Sequence, residues 1–389
     1  MSVGHPPVVP ESPPPAEAEE ATGLAAAKLR IVAAVTHPSL WGRLAAVLLA
    51  LVLALPVFLA SGANPGEAYG ALLNGSFGSL RALGDVLNRA DTFLLLGLGI
   101  AVCIRSGFFN VGAEGQLWLG ALGGTLVAVY WNGPPALVVV ASLVAGFTFG
   151  ALWSGLVALL KIVAKVDELI GSLMLNYVAI LLVGYLTFGP IAAYRAGQSE
   201  RLPNEHWLPT LIPGTRLHAG ILIGVAAVGL IWLLLNRTTF GYEIRTVGAN
   251  PQAARFAGIN SNWVIARVSL LGGGLCGLAG ANAILGVQHV LLDNFSTGIG
   301  YTAIAVAMLG SLSPGGIMLA AVLFGALEIG ASNMQYVAKV PAALGGLIEG
   351  LILVLFMIGI TFARRGARRG GASPAAPVAP AAPRAEAST

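Results

Sequence analysis

Charge is scarce in this sequence. Asp, Glu, Lys and Arg make up 10% of 389 residues, against about 25% in ordinary soluble domains. Hydrophobic residues reach 56% and the mean hydropathy is +0.82, so a water-facing surface cannot be built and the solvent is mainly lipid. Cysteine is nearly absent: Cys103 and Cys276 each lie inside an apolar run, which excludes a disulfide framework and a thiolate metal site. The five histidines never fall at ligand spacing, which argues against a catalytic metal. Lysine occurs four times, each time after Ala or Leu, so the Gly-Lys-Ser/Thr of a P-loop is missing and the chain holds no Walker A site. Period-2 alternation is also missing from long apolar runs such as 44 to 60, which selects membrane helices over a closed barrel. The net charge of +4 sits in loops at membrane ends and does not mark a nucleic-acid surface.

What is present is an all-α polytopic pattern. Spans are expected at about 44 to 60, 92 to 104, 115 to 130, 136 to 160, 169 to 190, 219 to 236, 264 to 288, 297 to 310, 315 to 334 and 342 to 363. These are ten helices of a length suited to hydrocarbon. Residues 1–39 and 364–389 are rich in Pro and Ala and are expected to be disordered tails around a transmembrane domain at 40–363. The acidic, long segment before Leu44 argues against a cleaved signal peptide. With both tails on one side, 15 of the 21 Lys and Arg fall on that side, and the positive-inside rule then puts both termini in the cytoplasm. The segment 191–218 becomes an extracytoplasmic loop.

A weak internal repeat relates Phe109-Asn-Val-Gly-Ala-Glu-Gly-Gln116 to Asn294-Phe-Ser-Thr-Gly-Ile-Gly-Tyr301. The two face opposite ways in this topology. Two readings stand: paired helix entrances around a midplane path, as in inverted-repeat transporters, or glycines that only start and stop helices. Gly273 with Gly277 is a small-xxx-small spacing that favours close helix packing.

The segment 237–263 is polar to small in an otherwise apolar chain. Asn250 suits an N-cap, Pro251 the first helical position, Ala253 and Ala254 are strong helix formers, and Gly258 suits a C′ residue. A two-turn helix over about 251 to 257 is expected. So short a helix is marginal alone in water and needs a docking surface. Phe256 and Ile259 offer apolar anchors, and Arg245 and Arg255 can pair with carboxylates.

The pattern Gly241-Tyr-Glu-x-Arg-x-Val-Gly-x-Asn-Pro-x-Ala-Ala-Arg-x-Ala-Gly-Ile-Asn260 resembles the coupling loop of permeases that serve binding-protein-dependent ABC importers for sugars, nucleosides and branched-chain amino acids. Gly107–Gln116, Met174–Tyr177 and Gly300–Gly310 resemble further segments of that family, the first two most like its nucleoside branch. The resemblance covers about residues 40 to 363. It implies an inverted-repeat permease of ten helices, paired with a second, related permease subunit. A separate ABC ATPase that uses ATP would lie below, and a substrate-binding lipoprotein or periplasmic protein above, with no cofactor bound by this chain. It also implies that Glu243, Arg245, Asn250, Pro251, Ala254, Arg255, Phe256 and Gly258 meet the ATPase.

Polar side chains at bilayer depth are costly and tend to face the bundle interior or a water-filled path. The candidates for a solute pathway are Phe109, Asn110, Glu114, Gln116, Asn176 and Tyr177. Amides and hydroxyls suit sugar hydroxyls, and Phe109 or Tyr177 suits stacking on a base. Each polar group also admits a plainer role in an interhelical hydrogen bond, and Glu114 suits the bracing of a helix N-terminus. Asn282, Gln288, Glu328, Ser332, Asn333 and Glu349 are further polar residues in apolar surroundings. The expected function is import of nucleosides or related simple sugars across the cytoplasmic membrane. A branched-chain amino-acid permease and an ion-coupled secondary transporter are the alternatives. An intramembrane protease is disfavoured, because Leu152 stands where a Gly-x-Ser-Gly motif needs glycine.

Overall fold

In the computed structural model the described residues are 38–60, 62–193, 197–340 and parts of 344–358. Helices follow one another as α1 (Pro38–Ala60), α2 (Pro65–Phe77), α3 (Leu80–Arg105), α4 (Ala113–Tyr130), α5 (Pro135–Ala164), α6 (Glu168–Phe188) and α7 (Gly220–Arg237). They continue as α8 (Thr239–Ala249), α9 (Pro251–Phe256), α10 (Ser261–Ala283), α11 (Ile299–Leu309) and α12 (Pro314–Ala338). A π-turn at Ile284–Gln288 extends α10. The compact unit that carries the sites described below runs from Leu53 to Gly350. Residues 1–37, the expected tail 364–389, half of the last expected span and Glu349 lie outside the described residues.

Six helices among the described residues are long and apolar enough to cross a membrane, and two shorter apolar stretches, Leu48–Ala60 and Ile299–Leu309, accompany them. Burial sorts them into layers. The apolar windows of α3 and α10 are 83% and 67% buried, whereas those of α5, α6 and α7 are each 28% buried. The first two therefore form the interior and the others face lipid. Glycine makes the interior possible: a Cβ on Gly277 of α10 would stand 2.8 Å from the Cα of Gly150 on α5, so any side chain there separates the two helices.

Two expectations need correction. The second span does not begin near residue 92, because α3 starts at Leu80 and α2 precedes it. Arg81, Asp85, Asn88, Arg89 and Asp91 make this stretch look like a loop. Three of them find partners in the fold: Arg89 pairs with Glu328 of α12, Asp91 accepts from the Asn282 amide of α10, and Asn88 donates at 2.7 Å to the carbonyl of Arg216, in the segment ahead of α7. Paired polar groups are tolerated at depth where isolated ones are not. Second, the segment 237–263 is not mainly loop, since α8 occupies Thr239–Ala249 ahead of the short helix.

Residues 189–193 and 197–219 cover one end of the bundle with isolated antiparallel bridges, Ala192 to Ser199, Gln198 to Leu292 and Thr210 to His218. In this cover Trp207 stacks on His289 with centroids 3.7 Å apart, and Arg201 lies 5.2 Å from the Trp207 ring. Burial first, and then the neighbouring His289, push the His218 pKa down to about 4. Burial and then Arg201 push His289 down to about 4. The Gly220 amide donates to His218 Nδ1 at 3.1 Å, which needs a neutral acceptor nitrogen. Between pH 6.5 and 4 the unfolded chain therefore binds more protons, so stability is full above about pH 6.5 and is lost as pH falls toward 4. Thermal denaturation in detergent is expected to show a midpoint that is flat from pH 8 to 7 and declines below 6. The decline should shrink in a variant carrying His218→Asn and His289→Phe.

Candidate functional site

The two repeat segments meet. After α3 the chain turns at Gly107, with φ of 80°, and Phe108 is buried with the Lys161 ammonium 5.4 Å from its ring. Asn110 then organises the start of α4. Its Oδ1 accepts from the Gly112 amide at 2.9 Å, and its amide exchanges two hydrogen bonds with that of Gln116, at 3.1 and 3.0 Å. Asn176 of α6 reaches the same turn, accepting from the Gly115 amide at 2.9 Å and donating to the Val111 carbonyl at 3.0 Å and the Tyr301 hydroxyl at 3.2 Å.

Glu114 joins this entrance to the other. One carboxylate oxygen accepts from Trp118 Nε1 at 3.1 Å and the other from the Gly300 amide at 2.7 Å, in the first turn of α11. A helix N-terminus carries unpaired N–H groups and a partial positive charge, which favours a carboxylate. Gly300 permits the approach, since a Cβ there would lie 2.6 Å from the Glu114 Cα. With 11 residues, α11 is about 16 Å long, roughly half the hydrocarbon thickness.

Of the six residues expected to line a pathway, Asn110, Glu114, Gln116 and Asn176 are at most 1% exposed and hydrogen-bonded inside this latch. Phe109 and Tyr177 instead present their rings at the surface, 39% and 59% exposed. Tyr301, also partly exposed at 37%, belongs with them. The sequence offered it only within the repeat ending at Tyr301 and the Gly300–Gly310 segment, not as a pathway residue.

Beside α11 opens a cleft of about 460 Å³, lined by Thr297, Gly298 and Thr302 at the helix start and by Glu328, Ser332 and Gln335 of α12. The last three recur at helical spacing and form a polar stripe on an apolar helix. Asn333 turns away and donates to the Ala71 carbonyl at 2.7 Å.

At the opposite end of α11 lies the short-helix region. Asn250 Oδ1 accepts from the Gln252 and Ala253 amides at 2.9 and 3.1 Å. Gly258, with φ of 78°, ends α9: its amide donates to the Arg255 carbonyl at 3.1 Å, and the Ile259 amide to the Ala254 carbonyl at 3.0 Å. This is a Schellman closure. Ala254 is buried, whereas Phe256 is 95% exposed; Arg245 and Arg255 are also exposed, and Glu243 is half-buried. From α8, Gly248 abuts the Arg105 carbonyl so closely that a Cβ has no room. Arg105 Nε donates to the Leu312 carbonyl at 2.9 Å, in the turn after α11 where Ser311 and Leu312 both have positive φ. A continuous set of contacts thus runs from α8 through Arg105 to one end of α11, and Glu114 grips the other.

The sequence profile of a family described as branched-chain amino acid transport system / permease component matches residues 82–357. The glucose ABC transporter permease protein TsgB13 of Haloferax volcanii is 36% identical over 82% of this chain and 90% of its own length. The guanosine ABC transporter permease protein NupP of Bacillus subtilis is 32% identical over 80% and 91%. The nucleoside ABC transporter permease protein NupB of Lactococcus lactis subsp. cremoris is 30% identical over 75% and 83%. A polytopic helical membrane protein with this extent of similarity belongs to the branched-chain amino acid transport system permease component family.

Proposed function

We propose that this chain is the transmembrane subunit of an ATP-driven importer that moves nucleosides or related simple sugars into the cell. ATP is hydrolysed on a separate ATPase, and the chain itself binds no cofactor. Its other partners are a related permease subunit and an external substrate-binding lipoprotein or periplasmic protein. It sits in the cytoplasmic membrane with both termini inside, so that α8 and α9 face the cytoplasm. The observation that carries the coupling is α9, a capped six-residue helix whose Phe256 is 95% exposed. A large apolar side chain presented on so short a helix needs a docking partner, and the ATPase is the partner proposed. Glu243, Arg245 and Arg255 supply polar contacts around that anchor. Closure of the ATPase then moves α8, and Gly248 and Arg105 pass the movement to α11.

The solute class is supported by the relatives named for guanosine, nucleosides and glucose. It is also supported by the exposed rings of Phe109, Tyr177 and Tyr301, which suit stacking on a base or on the apolar face of a sugar. The family description favours a second reading, a branched-chain amino-acid permease. Cells that depend on this gene are expected to take up labelled uridine or glucose after an uncoupler is added and to stop when ATP is depleted. Unlabelled uridine or glucose competes and leucine does not. Uptake abolished by the uncoupler while ATP is maintained sinks the ATP-driven reading, and competition by leucine alone moves the solute to the second reading.

A further inference from the structure

The cleft beside α11 carries chemistry that the latch and the short-helix region do not use. Its volume of about 460 Å³ lies within the roughly 300–1,000 Å³ of small-molecule sites. Glu328 is the charged group on its described wall, and no Lys or Arg is among the described lining residues. From behind, Arg89 of α3 holds that carboxylate in a forked pair, with Nε 2.6 Å from one oxygen and Nη2 on the other. Arg89 itself lies 5.7 Å from the Phe93 ring. The Glu328 side chain remains 30% exposed.

A carboxylate accepts about four hydrogen bonds and the Arg fork takes two. Two acceptor positions, one on each oxygen, are left in a fixed plane. Adjacent hydroxyls on a sugar ring present two donors at matching separation. Thr302 and Gln335 add neutral groups that both donate and accept, and the Ser332 hydroxyl, which donates to the Glu328 backbone carbonyl at 3.0 Å, adds an acceptor. An anionic group entering the cleft would meet the acceptor edge of the Glu328 carboxylate, with Arg89 already engaged by it and no Lys or Arg in the described lining to receive the anion.

We infer that this cleft is a binding subsite for neutral polyhydroxylated rings, with Glu328 as the hydroxyl acceptor and Arg89 as the residue that positions it. The inference rests on the import function proposed above and specifies its solute. It makes Glu328 a specificity-determining residue that favours vicinal diols over α-carboxylates, and it places the contact on the sugar or ribose portion of the solute.

The test uses the complete importer reconstituted with its partner subunits and carrying Ser332→Cys. Cys103 and Cys276 are buried free thiols, so a membrane-impermeant methanethiosulfonate reagent supplied on both faces reads position 332. Millimolar uridine or glucose is expected to slow modification at least fivefold, and leucine to leave it unchanged. Adding Glu328→Gln should raise the solute concentration needed for protection about tenfold, the scale of one charge-assisted hydrogen bond. Where that variant fails to assemble, Gln335→Leu should raise it about threefold. If uridine and glucose are transported by the wild-type importer yet protect nothing, or if neither variant shifts the concentration, the subsite is overturned while the import reading stands. Transport of leucine alone overturns the import reading itself.

Discussion

Replacing Glu114 by Ala is expected to abolish uptake and to lower the unfolding midpoint of the detergent-solubilised protein by several degrees. The side chain is 1% exposed and accepts from two donors on different elements, Trp118 Nε1 in its own helix and the Gly300 amide at the start of α11. Truncation leaves both donors buried without an acceptor. Hydrogen bonds to a charged group contribute about 1.5–3 kcal/mol each, so the loss is about 3–6 kcal/mol. The effect on transport is larger than a stability change alone would produce, because the Gly300 contact is the grip on one end of the half-length helix beside the cleft. Glu114→Gln retains one acceptor oxygen and should fall between the two. Thermal unfolding and uptake of labelled uridine measure both effects, and an alanine variant that matches the wild type in each would remove Glu114 from the latch.

Substitution of Gly258 by Val should reduce uptake at least tenfold while leaving the amount of chain in the membrane unchanged. A Cβ at this position meets nothing within 4 Å, so the effect does not come from a clash. It comes from φ of 78°, a left-handed conformation that costs an L-residue about 1–2 kcal/mol and that a β-branched residue tolerates least. Helix α9 has only six residues and cannot absorb the loss of its closure. The Phe256 anchor then loses its orientation toward the proposed ATPase. Gly258→Asn is the control, since Asn visits this region readily, and it should retain most transport. Immunoblots of membrane fractions alongside uptake separate coupling from insertion, and wild-type uptake by the Val variant would refute the coupling role of α9.

How much of this was legible depended on how local each cause was. The short helix could be read residue by residue, because Asn250 caps amides two and three positions on, and Gly258 closes a turn that starts four positions earlier. The Gly-rich entrances were also visible as motifs, with two readings left open. The structure joins them: the glycines do start helices, and the starts meet. The sequence allowed Glu114 to brace a helix N-terminus, but not to show that the helix lies 186 positions further along the chain. Residues 80–91 looked like a loop because their charges were read against lipid, whereas Arg89 and Asp91 find Glu328 and Asn282 in the bundle. The same pairing turned Glu328 from one of several polar residues in apolar surroundings into the wall of a cleft.

Sequence alone established the membrane as solvent, the helical class and the capped short helix. Each follows from composition or from residues within one or two turns of each other. Only the tertiary structure decided which buried polar groups are latches and which face a cavity. A polar group at depth is held by its hydrogen-bond partners, and here Asn176, Glu114, Asp91 and Arg89 each have one that stands between 65 and 239 positions away. No periodicity or local propensity encodes a pairing at that distance.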